Sequence, residues 1–93
     1  MKTIQVLNCR YNDSVEDWIL DNMIQQTMKP YFAWQSQNPE VDVTFMKHWG
    51  VADYYPKVEV NAEFKDETDS AFFITSFPSL PQESLVSASF YSK

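Results

Sequence analysis

At 93 residues the chain is one domain around one core, and 44% hydrophobic with 22% charged residues excludes a disordered polymer. Thirteen acidic against seven basic side chains leave a net charge of −6, which disfavours autonomous nucleic-acid binding because phosphate contacts need clustered Lys and Arg. One cysteine excludes an internal disulfide and a cysteine-held zinc, and one glycine excludes a glycine-rich phosphate loop.

In chain order, "KTIQVLNC" is a β-branched and apolar run, predicted as a first strand over 2–9. "DSVE" follows as a capping box, Asp13 accepting from the backbone and Glu16 reaching back, so a helix is expected to begin there. Its apolar face carries Val15, Ile19, Leu20, Met23, Ile24, Thr27 and Met28, a broad arc suited to packing on a sheet. Pro30 predicts a kink or split near Lys29, with "PYFAWQSQ" as a second short helix, and Asn38–Pro39 end the helical region.

"EVDVTFMKHW" alternates with Val41, Val43 and Phe45 inward, and Trp49 continues that register into the core. Gly50 is expected to supply a backbone angle other residues resist, opening a connection "GVADYYP" in which one of Tyr54 and Tyr55 stays available to a partner. His48, Asp53 and that tyrosine make a secondary contact patch at what is first a corner of the fold. "KVEVNAEFK" places Val58, Val60, Ala62 and Phe64 inward. "DETDS" reads as a polar turn leading to a strand "AFFITSF", and "ESLVSASFY" as a final strand with Val86, Ala88 and Phe90 alternating. A helix from about Ser79 is the alternative. The fold class expected is α+β, in the order β-α-β-β-β-β. One main helix, kinked or split at Pro30, packs on a mainly antiparallel sheet of four to five strands.

Reactive chemistry is sparse. Cys9 as nucleophile would need His48, the only histidine, as its base, and nothing in the pattern brings them together. "DETDS" lacks the glycine and terminal glutamate of a calcium loop. The expectation is a non-enzyme without metal or cofactor. The opening residues lack a signal-peptide pattern and no stretch approaches the ~20 apolar residues of a membrane span, so a cytoplasmic protein is expected.

Charge is unevenly placed. Asp13, Glu16, Asp17 and Asp21 sum to −4, as do Glu59, Glu63, Lys65, Asp66, Glu67 and Asp69 together. Acids in a first helical turn and on an exposed strand face have structural explanations. Both together suggest carboxylates standing in for phosphates in a basic groove. Duplex DNA carries roughly 18 phosphates over ~30 Å, so six net charges suit a local blocking patch rather than a full decoy. On the helical wheel Trp18 falls on the polar side among Asp21, Asn22 and Gln25, either tucked under a loop or serving as an aromatic anchor.

Short, acidic, glycine-poor and without a reactive constellation, the chain resembles in composition the small inhibitors that phages and plasmids encode against host nucleases and defence complexes. That resemblance implies a non-catalytic anti-defence protein of the host cytoplasm that blocks a larger basic, nucleic-acid-handling protein. The contact would be made through Asp13, Asp17, Trp18, Asp21, Asn22, Gln25, Tyr54, Tyr55, Glu59, Glu63, Asp66, Glu67 and Asp69. An immunity or antitoxin-type protein dedicated to one toxin, and a structural subunit that dimerises with itself, are the alternatives.

Overall fold

The computed structural model describes residues 1–52 and 54–86. Their element order is β1 (Lys2–Tyr11), α1 (Asp17–Gln37), β2 (Val43–Ala52), β3 (Tyr55–Phe64), α2 (Glu67–Ser76) and β4 (Gln82–Val86). The fold is α+β. Four strands form a mixed sheet in the order β2-β3-β1-β4, with β3 antiparallel to both β1 and β2 and β4 parallel to β1. Two of the three pairings are antiparallel, so the sheet is mainly antiparallel with a parallel last strand, of whose expected apolar positions only Val86 is described; Ala88 and Phe90 lie outside the described residues.

Alternation builds the buried face of the sheet. Val58, Val60, Ala62 and Phe64 of β3 are all buried as expected, the first three opposite Cys9, Leu7 and Ile4 of β1. A register shift between Gln5 and Leu7 inserts Val6, which is also fully buried. Against this face α1 lays Leu20, Ile24, Met28, Tyr31 and Trp34, spaced by three and four residues.

Three expectations about helices are corrected. The helix starts at Asp17, not at the "DSVE" box: the Asn12 carboxamide accepts from Ser14 N at 2.9 Å and Val15 N bonds Asn12 O at 2.9 Å. That turn consumes the groups a cap would use, and Glu16, the N-cap residue, makes no side-chain cap bond. Pro30 neither splits nor ends α1. Gln26, whose carbonyl loses its donor, and Pro30 are both exposed, so water can satisfy the orphan group. Two buried aromatics beyond the proline, Tyr31 and Trp34, are worth ~1.5–3 kcal/mol each in burial, which together outweighs the ~3 kcal/mol a proline costs.

The third correction is α2, which replaces the turn and strand expected over "DETDSAFFITSF". Asp66 caps it by accepting from Thr68 N at 2.9 Å, and Glu67 and Asp69 sit in its first turn, where acids complement the helix dipole. Ser70 and Phe73 are buried and Phe77 half-buried, a helical spacing, while Phe72 and Ile74 remain almost half exposed. Phe73 is the hub of the aromatic core, with ring centroids 5.0–6.4 Å from those of Tyr31, Trp34, Phe45, Phe64 and Phe77. Both helices therefore lie on one face of the sheet.

The β2–β3 hairpin runs ten pairs without interruption, from Val43↔Phe64 to Ala52↔Tyr55. Gly50 lies inside it opposite Lys57 and has no positive φ, which corrects the expectation of a special backbone angle. That angle is at the hairpin tip instead, where Tyr54 has φ 70°. Asp53 lies outside the described residues.

Candidate functional site

The position of α1 over the sheet decides which side chains stay open. Near its C-terminal end it hugs β2: Gln35 Nε2 donates to Val43 O at 3.2 Å, and Phe32 meets Phe45 edge-on at 5.5 Å. Toward its N-terminus the cover is lost, and along the inward-facing register of β2 exposure rises from buried Val43 through half-buried Phe45 to exposed Lys47, Trp49 and Val51. The expectation that Trp49 is core is thereby overturned. It is 54% exposed: β2 is the edge strand, and a depression separates Trp49 from the first turns of α1.

Between helix and strand lies a groove with two depressions. The first, about 100 Å³, is apolar, lined by Ile24, Met28, Phe32, Phe45 and Val60, with Gln25 and Lys47 at its rim. The second, about 400 Å³, is bounded by Tyr11, Asp17, Leu20, Asp21 and Trp49. Tyr11 and Trp49 stand at right angles in it, centroids 6.2 Å apart, and Lys47 Nζ lies 5.8 Å from the Trp49 ring centroid. Burial, and then the carboxylates of Asp17 and Asp13, push the Tyr11 phenol up from its ordinary pKa. Among the described residues the ion pairs are Lys57–Glu59 at 2.7 Å and Lys65–Asp42 at 3.3 Å, so neither Asp17 nor Asp21 is neutralised by one.

The expected contact residues divide into two groups. Asp13, Asp17, Trp18 and Asp21 gather at the start of α1; Asn22 is exposed beside them and Gln25 reaches the apolar depression. Trp18 is 67% exposed with its indole N–H donated to the Glu16 carboxylate, so it is not tucked under a loop. Tyr54 and Tyr55 lie at the hairpin tip, at the same end of the molecule, and both are exposed rather than one.

The remaining acids are elsewhere. Glu59 and Glu63 alternate onto the helix-free face of the sheet, Glu59 bound to Lys57. Asp66, Glu67 and Asp69 begin α2 beyond Phe64, at the opposite end of β3. Asp17 and Asp21 border Trp49, which pairs with Val58, so about 20 Å of strand separates them from Phe64 and the start of α2, more than twice the ~8 Å screening length at physiological salt.

Tyr11, Phe32, Phe45, Lys47 and Trp49 were not among the expected contact residues. The signal for them was Lys47, a charge in the inward register of β2 that marks where the sheet face stops being covered.

Cys9 and His48 do not meet. Cys9 is fully buried on the helix-covered face, while His48 pairs with Glu59 in the register of the opposite face. Burial pushes the Cys9 thiol up to about 11 from 9.0. The folded state thus holds a proton that the unfolded chain releases. This contribution to stability is complete below pH 9 and is lost as pH rises from 9.0 through about 11. The native thiol is expected to resist iodoacetamide at mildly alkaline pH and to react on unfolding, with the melting temperature falling over that window. Rapid alkylation of native protein would contradict the placement of Cys9.

Comparison of the chain with protein-family models, with curated proteins and with solved structures returned no match. What the geometry defines is a two-layer α+β domain presenting an acidic, aromatic-lined groove beside an open sheet edge.

Proposed function

We propose that this protein is a non-catalytic binding domain that engages and blocks a larger basic protein of the kind that handles nucleic acid, through the hairpin end and the start of α1. One observation carries the reading: Trp18, Trp49, Tyr54 and Tyr55 are exposed at the same end as Asp17 and Asp21, which no cation among the described residues neutralises. Large aromatics left in water and ringed by polar groups have the composition of interface hot spots, and carboxylates among them favour Lys or Arg opposite. Tyr54 adds weight. It holds a positive φ, a conformation costing about 1 kcal/mol in a residue with a side chain, and it is fully exposed, so the ring contributes nothing to the core.

The test separates this end from the rest of the acidic surface. The bound species captured from a lysate by wild type should be lost by Asp17→Lys/Asp21→Lys, with about a tenfold or greater drop in affinity, and weakened by raised salt. Glu63→Lys/Glu67→Lys, at the far end, should retain it. Equal loss from both double variants, each shown to be folded by its melting curve, would refute the assignment to this end.

A further inference from the structure

β2 is an edge strand, and its pairing with β3 fixes which of its backbone groups are spare. From the closing pair Ala52↔Tyr55, alternate residues Gly50, His48, Met46 and Thr44 exchange hydrogen bonds with β3, and those between them point their N–H and C=O outward. Two details agree with this parity: Val51 faces Pro56, which has no N–H to give, and the Val43 carbonyl is free to accept from Gln35. Gln35 covers the edge only there. Among the described residues no hydrogen bond outside the hairpin reaches the backbone of Phe45, Lys47 or Trp49. These same three residues turn their side chains toward the groove under α1, so free backbone and both depressions lie along one line.

We propose that the partner docks an extended segment on the free edge of β2 as an additional strand. An apolar side chain then enters the depression at Phe32 and Phe45, and a Lys or Arg enters the one at Trp49, Asp17 and Asp21. The inference rests on the basic-partner reading above and adds the mode and spacing of recognition. Residues of the added strand facing the groove stand opposite Phe45, Lys47 and Trp49 in turn. The apolar and basic anchors are therefore four residues apart, about 13 Å along the strand. Charge selects the occupant. Among the described residues no cation pairs with Asp17 or Asp21, whereas a second copy pairing antiparallel about Lys47 would set Lys47 against Lys47, a repulsive cross-strand pair.

The probes are synthetic peptides of alternating threonine carrying one Leu and one Arg, four residues apart in either order, titrated by tryptophan fluorescence. They should bind about tenfold or more tightly than the same composition spaced three apart, which throws one anchor to the wrong face. Lys47→Pro removes an edge N–H that β3 does not use, a position where proline is tolerated. It should lose the peptide, while Lys47→Ala keeps it. Backbone amides of Phe45, Lys47 and Trp49 should gain exchange protection in the wild-type complex, a readout independent of whether the proline variant folds. Equal binding of both spacings, or unprotected amides in the bound state, overturns strand addition. If Asp17→Lys/Asp21→Lys still abolishes binding in that case, the basic-partner reading stands without it. A concentration-dependent dimer abolished by Lys47→Pro would show a second copy on the edge and also overturn the proposal.

Discussion

Replacing Phe73 by Ala is expected to lower the free energy of unfolding by about 3–5 kcal/mol, a large part of the roughly 5–15 kcal/mol that holds a domain of this size together. Phe73 is fully buried and touches aromatic rings from α1, β2, β3 and the end of α2, so its loss leaves a cavity that no single neighbour can fill. Urea unfolding should show a lower midpoint with an unchanged slope. The adjacent Phe72→Ala and Ile74→Ala should cost ~1 kcal/mol or less, since both side chains are nearly half in water. Equal costs at all three positions would mean that α2 does not present one face to the core.

Phe73 also shows where the sequence was legible and where it was not. The alternation of Val58, Val60, Ala62 and Phe64 is a local pattern with one structural solution, and its inward face was read correctly. The same rule applied to "AFFITSF" failed, because three consecutive β-favouring side chains outweighed a capping signal at Asp66 that was equally present in the letters. The split expected at Pro30 failed for the opposite reason: a local breaker was overridden by Tyr31 and Trp34, whose burial depends on a sheet the helix has not met in the sequence. The site divides in the same way. Asp17, Trp18 and Asp21 could be placed together from the letters because their helical spacing is local. Trp49 was assigned to the core because its parity is correct but its cover is not a property of β2. Whether a strand position is roofed depends on the strand's place in the sheet and on how closely α1 packs over it, and β2 is the edge strand.

Trp49→Ala is expected to weaken binding of an arginine-bearing peptide by about thirtyfold or more, equivalent to ~2 kcal/mol, while changing fold stability by ~1 kcal/mol or less. The asymmetry follows from exposure: half of the ring is in water in the free protein, so truncation removes little native packing beyond the edge contact with Tyr11. In the complex the same ring would be covered, with a guanidinium over its face and Asp17 and Asp21 alongside. Trp49→Phe should fall between the two, because the smaller ring offers a weaker cation–π surface. Salt separates the contributions, since ions screen the two carboxylates far more than they weaken burial of an indole. The penalty of Trp49→Ala should therefore persist at high salt, where that of Asp17→Lys/Asp21→Lys shrinks. Lys47 occupies part of the Trp49 face in the free protein and must give way to an incoming cation, so Lys47→Ala should tighten binding in wild type and have no such effect once Trp49 is Ala. Independent effects of the two substitutions would show that the cation does not sit on the Trp49 ring.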